Sequence, residues 1–321
     1  MPERSQFELL NSALDALFAG AALPSVPAEL EPLVRIAVQL RNLPGDEFKS
    51  RLKADLQKET TMPTETLSYK REGFHTVTPY LVVNEAAKLI DFVKQAFGAE
   101  EMFRTIGSAG GIHCECRLGD SMLMLGGGGE WRGTPTPAHL HLYVDDADAV
   151  YHRAMAAGAS SLYEPGDMPY GDREGGVRDA FGNNWYIGTI RNRPAEGLRT
   201  VTLGLLVNGA ARMIDFLKDA FAAETVGRWD HPDGRVAHAQ IRIGDSIIET
   251  SDAHGQFQPK PCMVYLYVPD VDATYNSALK AGATTVTPPA DQPYGDRNAG
   301  VSDPFGNMWY MATHGTKRER E

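Results

Sequence analysis

The β-branched and apolar run from Thr76 to Val83 reads as a strand, and then the period changes. After Asn84, an N-cap candidate, Ala86, Leu89, Ile90, Val93 and Phe97 fall on one face at helical spacing. Gly98 is placed to end that helix. Three strands are predicted around 101–106, 112–118 and 121–125, the second with clear alternation. The cycle then restarts with the strand HLHLYV and a helix from Asp146 to Ala157 that Gly158 stops. Further strands are predicted at 160–163, 175–178 and 184–189. The unit is β-α-β-β-β, and strands grouped behind single helices predict an α+β fold.

The pattern returns. YGDREGGVRDAFGNNWYI, from Tyr170, reappears 124 residues later as YGDRNAGVSDPFGNMWYM, from Tyr294. The same offset carries Phe97 to Phe221 and repeats the first helical face as Ala210, Met213, Ile214, Leu217 and Phe221. A period of this length means two whole domains, placed at 74–190 and 198–314, with RNRPAEG as linker. Residues 1–62 differ. Phe7, Leu10, Leu14, Leu17 and Phe18 form one apolar stripe, Leu30, Leu33, Val34, Ala37 and Leu40 a second, and Phe48, Leu52 and Leu56 a third. They predict an all-α arm or small bundle, a surface for a second copy or a protein partner.

Composition narrows the function classes. The formal net charge of -11 disfavours nucleic acid as a partner, and no apolar run approaches a membrane span. The N-terminus lacks a secretory pattern, and Cys114, Cys116 and Cys262 make neither a disulfide framework nor a zinc site. A reducing cytoplasm is the expected compartment.

The paired β-α-β-β-β modules and the YGDR…DPFGNMW ending resemble the vicinal oxygen chelate superfamily, which includes glyoxalases, bleomycin-resistance proteins and extradiol dioxygenases. The similarity is to its glyoxalase-like branch first noted in phosphonate gene clusters. The resemblance implies that the two modules of each domain curl into a half-open barrel, helices outside and ligand inside. Strand alternation then sorts the side chains. His113, Glu115 and Arg117 face inward on one strand and His139, His141 and Tyr143 on another, with Cys114, Cys116, Leu140 and Leu142 on the helix side. The second copy turns His238, Gln240 and Arg242 inward, and likewise Met263, Tyr265 and Tyr267.

Metal-dependent members hold one divalent ion with four inward residues. Carried over, those positions are Thr78, Met124, His139 and Tyr186 in the first repeat, and Thr202, Glu249, Met263 and Tyr310 in the second. One His or one Glu beside Thr, Met and Tyr cannot complete such a site, so no metal is assigned. A displaced set of His113, Glu115, His139 and His141 would serve if their strands adjoin, which leaves a divalent metal open as cofactor. The same four residues are the acid/base candidates. The expected ligand-facing residues are Thr78, Tyr80, Arg117, Met124, Trp131, Tyr143 and Tyr186, then His238, Arg242, Glu249, Tyr265, Tyr267 and Tyr310.

Other motifs read as structure. PYGDR is turn chemistry with a loop-locking Arg, Trp185 and Trp309 belong to the core, and the LGDS and IGDS segments are turns rather than nucleophile sites. GGGGEWRGTPTP is a connector that could carry Trp131 and Arg132 over the cavity, with Phe257 as the counterpart. Two functions follow. The first is a protein that binds a polar or aromatic small molecule and is not a standard glyoxalase I. The second is a lyase or isomerase acting on an oxygen-rich small molecule, with the first domain catalytic.

Overall fold

A computed structural model describes residues 9, 12–16, 19, 21, 24–31 and 34, and residues 69–315 apart from 108, 192–196 and 256. The chain divides into two compact units, Met1–Thr66 and Leu67–Glu321. In the first, residues 12–16 are helical and Ala13 is buried. Most of the three stripes expected there, Leu33, Leu40 and Phe48 among them, lie outside the described residues. No helix among the described residues is long and apolar enough to cross a membrane.

The second unit holds the four modules. The first is β1 (Val77–Val82), α1 (Ala86–Phe97), β2 (Glu100–Ile106), β3 (Ile112–Leu118) and β4 (Ser121–Gly127). The second is β5 (His139–Tyr143), α2 (Ala147–Ala156), β6 (Ser160–Asp167), β7 (Arg173–Arg178) and β8 (Asn184–Thr189). The third is β9 (Val201–Val207), α3 (Ala210–Phe221), β10 (Glu224–Asp230), β11 (Val236–Ile243) and β12 (Ser246–Asp252). The fourth is β13 (Met263–Tyr267), α4 (Val271–Lys280), β14 (Thr284–Asp291), β15 (Arg297–Ser302) and β16 (Met308–Thr313).

The helices form where the apolar period puts them. α1 buries the expected Ala86, Leu89, Ile90, Val93 and Phe97, and also Phe92 and Ala96. Its start differs from expectation. Glu85 occupies the N-cap without a side-chain bond, so Asn84 does not cap. Gly98 does end the helix, at φ 75, and Ala222 takes the same left-handed conformation after α3 at φ 52. Asp146 caps α2 by accepting the Ala149 N–H.

Strand pairing departs from the sequence reading. The modules pair across the repeats, not within them. One eight-stranded sheet, here sheet A, runs β14-β15-β16-β13-β1-β4-β3-β2, and sheet B runs β10-β11-β12-β9-β5-β8-β7-β6. Sheet A therefore joins the first and fourth modules, and sheet B the second and third. At the seams, antiparallel β1 and β13 set Thr78 opposite Tyr265, and β5 and β9 set His141 opposite Thr202.

Each repeat nevertheless remains one packing unit on the helix side. Phe97 of α1 meets Trp185 of β8 at 4.6 Å between ring centroids, and Phe221 meets Trp309 at 4.7 Å. The Arg153 side chain of α2 donates to the Ala96 carbonyl of α1. Trp185 and Trp309 are fully buried, and their indole N–H groups donate to the buried carboxylates of Asp179 and Asp303. Both are core residues, as alternation requires.

The repeated GDS turns explain the cross-repeat arrangement. Asp120 and Ser121 accept the backbone N–H groups of Thr200 and Val201 at 2.8 and 2.9 Å, just where β9 begins. Asp245 and Ser246 do the same for Thr76 and Val77 at 2.8 and 3.0 Å. Gly119 and Gly244 sit at φ +58 and +57, and an added Cβ would fall 2.3 and 2.4 Å from a Thr200 or Thr76 hydroxyl. These turns thus satisfy strand-end donors of the opposite repeat, a stronger role than turn chemistry alone.

Candidate functional site

Strand parity holds in both sheets. Leu140, Leu142, Cys114, Cys116, Val264 and Leu266 are buried in the helix-side core. Their neighbours turn to the concave faces, so His113, Glu115, Tyr80, Tyr265 and Tyr267 share sheet A, while His139, His141, Tyr143, His238 and Glu249 share sheet B. The set His113, Glu115, His139 and His141 is therefore divided. β3 and β5 belong to different sheets, so the condition on which those four could have acted together is not met.

In sheet A the polar residues neutralise one another. Arg71, which precedes the first repeat's expected start, donates to both oxygens of buried Glu115 at 2.6 and 2.9 Å. Burial would push the Glu115 carboxyl upward, but His113 and Arg71 outweigh it and hold the group below the usual carboxylate range. His113 Nε2 lies 3.3 Å from Glu115, and its Nδ1 is 2.8 Å from the Tyr80 hydroxyl. Arg71 also lies over the Phe74 ring, which packs edge-on to Tyr267. Nothing in the periodicity marked Arg71, because it sits outside a strand.

In sheet B, His141 and Tyr143 of the first repeat meet His238, Gln240 and Glu249 of the second. Glu249 is 3% exposed. Its Oε1 accepts from the Tyr143 hydroxyl at 3.0 Å and the Gln240 amide at 3.1 Å. His141 Nε2 stands 3.2 Å from Oε2, and His238 Nε2 3.6 Å from Oε1. Burial again favours the neutral acid, yet His141, His238, Gln240 and Tyr143 together keep the Glu249 pKa below normal. One buried atom in this group, His141 Nδ1, has no hydrogen-bond partner, and Glu249 Oε2 has the ion-pair approach of His141 Nε2 in place of one.

His139 stands beside this group in a different state. Its Nε2 is 3.1 Å from the Gln258 carbonyl oxygen, which can only accept, so Nε2 carries the proton. Its Nδ1 then accepts from the Tyr186 hydroxyl at 3.1 Å or the Asn184 amide at 3.3 Å. Burial, with Lys260 and other cations nearby, depresses its pKa to about 3. Tyr186 is ringed by His141, Tyr163 and Phe257. Trp229 lies against His238 at 5.6 Å between centroids.

The remaining candidates are dispersed. Arg117 and Arg242 turn to Glu100 and Glu224 on the edge strands. Thr202 donates back to the Arg199 carbonyl. Thr78 and Met124 are buried, and Tyr310 lies in sheet A opposite Tyr265. Trp131 packs beside Gly111, and Arg132 bonds within its own loop, so of the two expected lids only Phe257 meets a concave-face ring. Arg173 and Arg297 reach Asp148 and Asp272 on the helices, a loop-locking role.

A family-type divalent ion does not fit these donors. Regrouped by sheet, the four positions are Thr78, Met124, Met263 and Tyr310 in A, which offer no His or carboxylate. In B they are Thr202, Glu249, His139 and Tyr186. Both His139 nitrogens are engaged by protein, and His141 and His238 approach different oxygens of Glu249. Among the described residues no group of three His, Cys, Asp or Glu side chains is placed to hold an ion.

A family model of the Glyoxalase/Bleomycin resistance protein/Dioxygenase superfamily matches residues 73–187 and 199–311. An uncharacterized protein of Mycobacterium tuberculosis is 40% identical over 118 residues, covering 33% of this chain and 69% of its own. Glyoxalase I from Zea mays shares the fold with a TM-score of 0.57 at 16% identity, over 73% of this chain and 90% of that one. A putative dioxygenase from Bacillus subtilis gives 0.51 at 14% identity, over 76% and 86%. With both repeats matched and the module order in place, the chain belongs to the Glyoxalase/Bleomycin resistance protein/Dioxygenase superfamily.

Proposed function

We propose that the chain binds a small polar or aromatic molecule in the hollow of sheet B, and is not a glyoxalase I of the metal-dependent kind. One observation carries this reading. His141 Nδ1 is buried on the concave face without a hydrogen-bond partner, beside the buried Glu249 carboxylate. Such an atom costs about 1–3 kcal/mol when left unsatisfied, and a ligand offering a partner to the imidazole removes that cost. Tyr186, Phe257 and the Trp229–His238 pair supply ring surface around His141 and Glu249. The three cysteines are free and buried, in keeping with a reducing cytoplasm.

A second reading, a lyase or isomerase, is favoured by the 3.2 Å approach of His141 to Glu249, an acid/base pair drawn from both repeats. Titration of the full chain with hydroxylated and nitro-substituted arenes, read by tryptophan fluorescence and by product analysis, separates the two. Binding predicts saturable quenching without turnover, lost in Glu249→Gln. Turnover lost in His141→Gln would establish the enzyme instead. Binding indifferent to both substitutions would remove the hollow of sheet B from the account.

A further inference from the structure

Two cations meet at one end of the sheet B hollow. The Asn184 Oδ1 accepts from Lys260 Nζ at 2.9 Å and from Arg178 Nε at 3.0 Å. Lys260 also donates to the Gly182 carbonyl at 2.6 Å. Asn184 is buried on the concave face and its amide nitrogen reaches His139 and Tyr186, so the pair adjoins the aromatic wall. Among the described residues neither cation forms a salt bridge, and the terminal nitrogens of Arg178 make no hydrogen bond. The nearby carboxylate, Asp179, is already taken by Trp185, Asn183 and the backbone N–H of Phe181.

That pairing is unusual for this molecule. The chain carries 42 acidic against 31 basic side chains, and Arg71, Arg117, Arg173 and Arg297 all find carboxylates. Lys260 and Arg178 instead share one neutral oxygen, and the charge of nearby Asp179 offsets their mutual repulsion without a salt bridge to either. The repeat supplies a contrast. At the corresponding positions of sheet A stand Thr136, Ser302 and Met308, with Met263 for His139. Only one hollow bears the cations.

We propose that Lys260 and Arg178 form an anion-recognition subsite at the rim of the sheet B hollow, which takes the carboxylate or phosphate of the small molecule bound there. This rests on the preceding reading that the hollow binds a ligand. Arg178 offers its terminal guanidinium nitrogens for a forked contact, and Lys260 a point charge. Burial and the neighbouring Arg178 hold the Lys260 pKa down to about 8, and an anion in contact would return it toward the ordinary lysine range.

Calorimetric titration of the full chain with benzoate, phenyl phosphate and neutral benzamide tests the subsite. The expected result is that at least one anion binds about tenfold or more tighter than benzamide, and that Arg178→Gln and Lys260→Met each remove that advantage. Arg178→Lys should restore part of it, which a folding defect would not. The stronger of benzoate and phenyl phosphate tells carboxylate from phosphate. Equal binding of benzamide and the anions, or anion binding untouched by Arg178→Gln, overturns the subsite. If benzamide binds and Glu249→Gln abolishes it while the cation variants change nothing, the hollow survives and the subsite does not. No binding of any arene overturns both.

Discussion

The burial of His139 makes a quantitative demand on acid stability. An ordinary histidine titrates near 6.5, whereas this one is depressed to about 3 because its ring is buried and flanked by Lys260. The sign follows from proton counting. Between those values the unfolded chain holds a proton that the native chain refuses, so stability is full above about pH 6.5 and declines as pH falls toward 3. Between pH 7 and pH 5 the loss from this group alone is about 2 kcal/mol. Lys260, at about 8 in the native state, is charged in both states across that window and drops out of the difference. The perturbation is His139→Met, the residue that sheet A carries as Met263. Urea unfolding of both proteins at pH 7 and pH 5, followed by circular dichroism, gives the comparison. The wild type should lose about 2 kcal/mol more than the variant on acidification. Equal losses would mean that the imidazole protonates freely, and that the Gln258 carbonyl does not seal it.

Two further outcomes are expected. Arg71→Met leaves buried Glu115 with His113 as its remaining side-chain partner. Because the arginine is 37% exposed, the cost is discounted for screening to about 1–2 kcal/mol, and an unchanged urea midpoint would contradict the ion pair. Gly244→Ala forces a left-handed alanine whose Cβ meets Thr76, so a loss of about 2 kcal/mol or more is expected in the same assay, and a neutral result would mean that β1 does not dock on that turn.

Much of this architecture is legible in the sequence because it rests on local period. The helical face of α1 and the alternation of IHCECRL and HLHLYV follow from which side chains must leave water, and the structure keeps them. The partner of each seam strand is not local. Val264 and Leu266 of β13 present the same apolar alternation as Leu140 and Leu142 of β5, so side-chain pattern alone does not say which of them β1 pairs with. The recurring GDS turns carried that information, but only as turns until their bonds to the other repeat were seen. The same ambiguity hid the meeting of Glu249 with His141, since each repeat by itself holds an incomplete set. Asn184 was within reach of the sequence, two residues before Tyr186 on the same face. Lys260 was not, because it lies in the segment between β12 and β13, where no period fixes direction.

The central claim is that the working hollow is built from both repeats around Glu249 and His141. A double-mutant cycle on urea stability, with His141→Gln, Glu249→Gln and their combination, addresses it directly. The account predicts a coupling of about 1 kcal/mol or more between these two residues, and additivity for the control pair His141→Gln with Glu115→Gln. Additivity within about 0.5 kcal/mol for His141 and Glu249, or coupling of His141 to Glu115 instead, would contradict it.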